Sequence, residues 1–379
     1  MPTFSALSLF SGAGGMDIGV RQAGFEVLAC IEVDPHCCQT LRSAIEREGL
    51  KTVLFEKDIR QVDPSQLKAD LGLQTGELDL LFGGSPCQSF SQAGKHGSLE
   101  DERGLLLFEF VRFAKALKPK VIVIEQVKGV LKALDQLGKV GGVCESLIGQ
   151  IEELGYKLKL QIINSANYGV AQTRERVFIV ATESGTCFDF PLPTHGKLDI
   201  QFSLFPIKQC TTVGEALKGL GSPSKDKDNQ PEDSHIDITP AGDRRRIHGV
   251  PEGSFLAREL HLPETQRCRL TKKDTTKFRR LSFSKLSLTL RCGEIFFHPI
   301  EDRYLTPREY MRIHGYPDNY FLKGPVRGRS GRVRHLDQHR QIANSVPPPV
   351  ACAIAKEVLE FIAREKVLSK SSRKPFVNV

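Results

Sequence analysis

No run of about 18 apolar residues occurs in the 379-residue chain, which excludes a membrane-spanning helix. The opening stretch, MPTFSALSLFSGAGGMD, has no basic segment before its short apolar run and soon meets Gly and Asp, so no signal peptide is expected. Ten cysteines are too sparse for a disulfide scaffold, and none sit in a CxxC pair. They are expected to be reduced and mostly buried, in a soluble, cytoplasmic protein. No internal repeat is visible. What is present is ordinary globular composition, 40% hydrophobic and 26% charged, which excludes a mainly disordered chain and permits a sizeable core. The length suggests about two to three domains.

The net charge of +8 is unevenly placed. Residues 1–180 carry 20 Lys and Arg against 22 Asp and Glu; residues 181–379 carry 33 against 23. Within 241–340 the balance is 22 to 11. A polyanion is the natural partner of such a field. Charge alone fits a solvated basic face equally well.

In the first 180 residues, short apolar runs alternate with helical patterns. The expected strands are Ala6–Phe10, Val27–Glu32, Thr52–Phe55, Leu78–Phe82, Val121–Ile124, Leu158–Ile163 and Val177–Ala181. Amphipathic stretches lie at Leu105–Leu117 and Val143–Leu154. This alternation predicts an α/β fold, a mostly parallel sheet with helices on both faces. Residues 184–302 are rich in Pro, Gly, Lys and Arg, and Gly221–Asp233 reads as a flexible loop. A helix is expected near Val350–Lys366, after three prolines, and a frayed tail from Ser369.

Three sites at strand ends carry chemistry. The first strand runs into Phe10-Ser11-Gly12-Ala13-Gly14-Gly15, a turn that lets a ligand approach the backbone. Asp17 stands where a dinucleotide fingerprint wants glycine, which favours a nucleoside without phosphates. Glu32 ends the second strand, where it can accept from ribose hydroxyls, and Asp58-Ile59 follow the third, where they can grip an adenine. Cys87 lies just past the fourth strand in GGSPCQSFS, where open α/β sheets place ligands. A nucleophilic cysteine needs its thiolate. Ser89–Arg103, with Gly94 and Gly97, reads as a mobile lid. Glu125-Gln126-Val127 follows the fifth strand, and Arg174 and Arg176 precede the seventh. Taken singly, each of these also fits a plain turn, a capping acid or a surface ion pair. His335 and His339 stand four apart, but Leu336 takes the place of the glutamate a zinc protease needs, so no metal is expected.

In order, these residues resemble the DNA (cytosine-5)-methyltransferases of bacterial restriction-modification systems. The resemblance rests on LFSGAGG, Glu32, KDI at 57–59, GGSPCQSFS, EQV at 125–127, NYGVAQTRERVFIV at 167–180, RYLTPREYMRIHGYPD at 303–318 and QIANSVPPPVA at 341–351. It implies a Rossmann-like S-adenosylmethionine-dependent methyltransferase fold with a smaller, irregular target-recognition domain. The implied division is 1–183 for catalysis and cofactor, 184–302 for target recognition, 303–368 for a segment returning to the catalytic domain, and a tail at 369–379.

The resemblance further implies methyl transfer from S-adenosyl-L-methionine, leaving S-adenosyl-L-homocysteine, to carbon 5 of a cytosine flipped out of double-stranded DNA. Cys87 is then the nucleophile and Glu125 holds the ring nitrogen 3 and amino edge, with Arg174 and Arg176 in support. Phe10, Ser11, Gly12, Gly14, Glu32, Asp58, Ile59, Pro86, Leu106, Asn344 and Ser345 form the cofactor pocket. The DNA-contact candidates are Gln88, Ser89, Lys95, Arg103, Arg244, Arg245, Arg246 and the pair Thr289-Leu290, for which an ordinary buried strand is an equal reading. The chain is expected to be a monomer, associated with the nucleoid through DNA. A restriction endonuclease acting on the same site would fit this role and leaves no mark here. Two departures stand out: Gln126 where the family has Asn, and Ala343 where it usually has Gly. If residue 343 needs a positive φ, alanine costs about 1 kcal/mol. An inert DNA-binding member of the fold and a transfer-RNA cytosine methyltransferase are the alternatives.

Overall fold

The computed structural model describes residues 4–86, 105–183, 188–196, 207–226, 229–255, 263, 265, 278–327 and 335–371, the last with side chains to 367. Seven strands form one sheet: β1 (Phe4–Leu9), β2 (Phe25–Glu32), β3 (Val53–Glu56), β4 (Leu80–Gly83), β5 (Val121–Gln126), β6 (Lys157–Asn164) and β7 (Glu175–Thr182). All seven expected strands are present, their ends displaced by at most two residues. The order is β3-β2-β1-β4-β5-β7-β6. The first five are parallel, and β7 runs antiparallel to both β5 and β6. β5 is buried along its whole length, as a central parallel strand covered on both faces should be.

Side-chain alternation divides the sheet into two apolar faces. Ala6, Val27, Phe82, Val121, Val123 and Val180 face one way, where the last helix covers them with Val350, Ile354, Val358 and Phe361. Leu7, Leu9, Ile31, Leu81, Ile122 and Ile179 face the other. There Phe110, Phe113, Ala114 and Leu117, at helical spacing, pack from a helix over Glu109–Leu117, together with Val143, Leu147 and Ile151 from one over Gly142–Glu153. The expected amphipathic stretch from Leu105 opens as a 3₁₀ turn, Leu106–Phe108.

In chain order the described helices are α1 (Gly15–Gln22), α2 (Pro35–Glu48), α3 (Pro64–Asp70), α4 (Glu109–Leu117), α5 (Gly142–Glu153), α6 (Val213–Leu217), α7 (Ala241–Ile247), α8 (Pro307–His314), α9 (Gln338–Asn344) and α10 (Pro348–Ser371). α10 lies tightly on α1 at Gly19, where a Cβ would sit 2.6 Å from Ala351 Cβ. The described part of 184–302 holds little regular structure: α6, α7 and two two-residue strands, His195–Gly196 and Lys208–Gln209. A third core joins Ile247, Leu281, Leu290, Phe296 and Tyr310 to Ala13, Ile18 and Ala44. Gly221–Asp233, expected to be a flexible loop, is pinned at its flanks. Ser224 N–H donates to His235 O at 2.9 Å, and Asp237 N–H to Ser224 O at 2.8 Å.

The LTPRE stretch is a helix start. Thr306 caps α8, Pro307 takes its first position, and Glu309 returns a bond to Thr306 N–H at 2.8 Å. Arg303 pairs with Glu309 at 2.7 Å, both buried.

α1 begins with a buried carboxylate, Asp17, whose Oδ1 accepts from Cys30 Sγ at 3.1 Å. Burial pushes its pKa above the usual 3.8, against the opposing bonds from Cys30 and Ser8. The folded state therefore binds this proton more tightly than the unfolded chain. That stabilisation is full below the unfolded value and is lost as pH rises through the folded one. Asn cannot titrate. The thermal midpoint of Asp17→Asn, measured relative to the parent, is expected to rise by a few degrees between acidic and neutral pH. A pH-independent difference contradicts the buried, proton-favouring carboxyl.

Candidate functional site

The strand order reverses between β1 and β4, so the turns after these neighbours open on one crevice. After β1 the chain bends at Phe10, which takes φ of +56°, a conformation an aromatic residue rarely adopts. Its ring rests 5.9 Å from that of Phe110. Ser11 N–H donates to Ile31 O at 3.1 Å and its hydroxyl to Ser8 Oγ at 2.8 Å. Gly14 has φ of +74°, and a Cβ there would meet Tyr320 Oη at 2.7 Å.

Glu32 ties this turn to the end of β2. Its Oε2 accepts from Gly12 N–H at 2.7 Å, and its Oε1 from Val33 and Asp34 N–H at 2.9 and 2.8 Å. Burial still pushes its pKa up, which means that the solvation lost exceeds what these bonds return. Asp58 caps the turn after β3 and is bonded by Arg60, which holds its pKa down. Ile59 beside it is buried.

Beyond β4, Gly84 lies against Glu125, where a Cβ would stand 2.7 Å from Oε2. Glu125 is buried at the end of β5, and Arg176 Nε lies 3.1 Å from its Oε1. Burial raises its pKa, and Arg176 and Arg174 only partly oppose this. Such a carboxyl keeps its proton further up the pH scale than an exposed one and can donate to a base. Arg174 is 1% exposed, and its Nη2 donates to Ser345 O at 3.0 Å. His314 Nε2 donates to the same carbonyl at 3.0 Å, while its Nδ1 accepts from Gln172 at 3.0 Å. Burial beside Arg174 holds His314 neutral.

Most of these groups line one cavity of about 400 Å³. It brings together Phe10, Ser11, Gly12 and Glu32 from the first two strand ends, and Asp58 and Ile59 from the third. Pro86, Leu106, Glu125, Arg174 and Arg176 join them, with Asn344 and Ser345 from the C-terminal segment. Gly14 does not line it; its place is against Tyr320 and Leu41. Cys87, Gln88, Ser89, Lys95 and Arg103 lie outside the described residues, as does the stretch expected to form a lid.

Ala343 sits inside α9 and is not among the described residues of positive φ, so alanine carries no backbone penalty there. Leu290 is 1% exposed and packed in the third core, which removes its side chain from the candidates for base contact. Thr289 is half-buried and donates to Thr173 O at 2.8 Å, beside the Arg174 segment. Arg244 pairs with the buried Asp237, whereas Arg245 and Arg246 are exposed. His339 has both ring nitrogens on carbonyls, Val326 O at 2.9 Å and Leu305 O at 3.0 Å. Among the described residues no group of three or more His, Cys, Asp or Glu is placed to hold a metal, and no helix is long and apolar enough to cross a membrane.

The sequence reading missed Asp34, which closes the cavity's edge. Its Oδ1 caps α2, and its Oδ2 accepts from Leu336 N–H at 2.8 Å. The Asp-Pro pair signals a cap, but nothing local signals a partner 302 residues away.

The profile of the C-5 cytosine-specific DNA methylase family matches residues 4–360. The Type II methyltransferase M.PspPI of Psychrobacter sp. (strain TA137) is 34% identical over 373 residues, 95% of this chain and 80% of that protein. M.Eco47II of Escherichia coli, also a Type II methyltransferase, is 32% identical over 369 residues, 95% and 79% of the two chains. A solved structure from Escherichia coli, described as a DNA modification methyltransferase encoded within a prophage, superposes with a TM-score of 0.69 at 21% identity, over 95% of this chain and all of that one. With strand ends converging on one cavity and a family match running through every strand of the sheet, the chain belongs to the C-5 cytosine-specific DNA methylases, a family of S-adenosylmethionine-dependent methyltransferases.

Proposed function

We propose that the chain is the modification enzyme of a Type II restriction system and methylates carbon 5 of a flipped-out cytosine at one duplex DNA sequence, through a covalent bond to Cys87. The observation that carries this reading is the single cavity in which the glycine turn and Glu32 adjoin the desolvated Glu125 and the turn leading to Cys87. A restriction endonuclease of the same specificity is the expected partner in the cell, and a monomer the expected state.

The residues present fit S-adenosylmethionine. Glu32 keeps acceptor capacity beside its three backbone bonds, and the carboxylate can take hydroxyls as donors. Phe10 offers an aromatic wall, Ile59 and Leu106 an apolar edge, and Asn344 and Ser345 the side towards α9. When bound, the cofactor supplies an electrophilic methyl group.

The chain's own residues make carbon 5 of the base able to accept it. The Cys87 thiolate adds to carbon 6, and the electron pair of the 5,6 double bond moves towards carbon 5. Glu125, holding its proton, donates to ring nitrogen 3 and takes up the charge that develops there. Arg176 keeps the carboxyl in place. After transfer a base, such as water, removes the carbon 5 proton, Cys87 leaves as thiolate, and ring nitrogen 3 gives its proton back to Glu125. Flipping the cytosine costs a few kcal/mol. Basic side chains from 241–340, paired with phosphates, offset that cost.

Four measurements test this reading. Labelled methyl from S-adenosylmethionine should enter duplex DNA and not transfer RNA, and bisulfite sequencing of DNA from expressing cells should show one methylated motif. Label in transfer RNA alone would favour the alternative substrate. Glu32→Ala should raise the cofactor dissociation constant roughly tenfold or more, since charge-assisted bonds are worth about 1.5–3 kcal/mol. Calorimetry giving an unchanged constant rejects the ribose assignment. Replacing Arg245 and Arg246 by Ala should weaken specific and random duplexes alike. The slope of log affinity against log salt should fall by about 0.9 for each phosphate that the variant no longer neutralises. An unchanged slope marks a merely solvated face. Arg244 is left intact because it holds the buried Asp237.

A further inference from the structure

The turn between β4 and Cys87 is clamped by the residue that departs from the family pattern. Gln126 is 1% exposed at the end of β5. Its Nε2 donates to Ser85 O at 2.8 Å and to Ser85 Oγ at 2.7 Å. Its Oε1 accepts from Val127 N–H at 3.2 Å. Both amide protons are thereby committed to one residue, Ser85, which is itself buried.

The same turn is confined on its other sides. Gly83 lies directly on the Leu9 carbonyl, with no room for a Cβ, and Gly84 faces the Glu125 carboxylate. Ser85 is therefore the first residue of the turn that can offer a side chain to a partner, and that partner is Gln126. Asparagine at 126 would be shorter by one C–C bond, about 1.5 Å. A bond of 2.8 Å lengthened that far is no longer a hydrogen bond. The added methylene of Gln126 and the hydroxyl of Ser85 thus match each other.

We propose that Ser85 and Gln126 are a paired positioning device that fixes the turn over residues 83–86 beside Glu125, and so sets where the chain enters the nucleophile that follows. Neither residue touches the reacting atoms. Gln126 acts through Ser85, two residues before the nucleophile, and through its own neighbour Glu125. The proposal rests on the reading of Cys87 as nucleophile. A misplacement of about 1 Å in such a site can cost about 100-fold in rate.

The test compares the parent with Gln126→Met, Gln126→Asn, Ser85→Ala and the double variant Ser85→Ala/Gln126→Met, each as the full chain. Met keeps the length of Gln and removes both donors. The expected result is a fall in single-turnover methyl transfer of about 100-fold for Gln126→Met and Gln126→Asn, and a smaller fall for Ser85→Ala. Dissociation constants for S-adenosylmethionine and duplex DNA should stay within about twofold, so the loss appears in kcat and not in KM. The double variant should fall no further than Gln126→Met, because the hydroxyl bond is shared. Amide hydrogen exchange of the peptide spanning Ser85, read without cofactor or DNA, should quicken in every variant. Should Gln126→Met not fold, Ser85→Ala removes only the hydroxyl bond and still reads the pair. Parent-like rates in Gln126→Met or Ser85→Ala, or losses that multiply in the double variant, overturn the pairing. Cys87→Ser separates the two readings. Turnover by that variant defeats the nucleophile assignment, whereas an inactive Cys87→Ser beside parent-like Gln126→Met defeats the positioning pair alone.

Discussion

The site depends on how closely two neighbouring strand ends approach. β1 and β4 are parallel partners, with Leu9 opposite Gly83 in register, and their onward chains diverge from that point. Only a residue without a side chain can lie on the Leu9 carbonyl, so the turn after β4 starts flush against the turn after β1. The first turn, bent at Phe10 and tied to Glu32, borders the cavity from one side. The second leads past Glu125 towards Cys87. A methyl donor and an accepting base must meet within bonding distance, and this junction puts the two turns on one cavity.

Closure of that cavity comes from the far end of the chain. The Ser345 carbonyl accepts from both Arg174 and His314, and Tyr320 Oη donates to Ala13 O at 2.9 Å. Thr40 Oγ1 donates to Gln341 Oε1 at 2.8 Å and accepts from Lys323 N–H at 2.9 Å. The cavity is therefore lined by residues from both ends of the chain, Phe10 and Ser345 among them. Thr289 and Ser287 bond directly to the Thr173 backbone, so the end of the 184–302 stretch leans on the segment that carries Arg174 into β7.

Much of the fold was legible because local patterns determine it. Short apolar runs pointed to all seven strands, and the helical spacing of Phe110, Phe113, Ala114 and Leu117 pointed to the helix beneath them. Strand order was not legible: the reversal at β1 and β4 and the antiparallel β7 arise from packing across the whole chain. At the site, Glu32, Glu125 and the arginines were readable as residue types at strand ends. Their energetics were not, since the raised pKa of Glu125 comes from burial by distant elements. Thr289-Leu290 shows the limit. A dipeptide says nothing of which way it faces, and Leu290 faces the core. Arg244 likewise looked like its neighbours until the buried Asp237 appeared beside it.

The central claim is that the chain activates cytosine by a covalent bond from Cys87. A duplex carrying 5-fluorocytosine at the methylated position retains a fluorine where the proton would leave, so the final elimination stalls. Incubation with S-adenosylmethionine, followed by denaturing mass spectrometry, should reveal a stable one-to-one protein–DNA adduct whose linked peptide contains Cys87. An adduct mapped to another cysteine, or none at all while the unmodified duplex is methylated at full rate, would contradict the account.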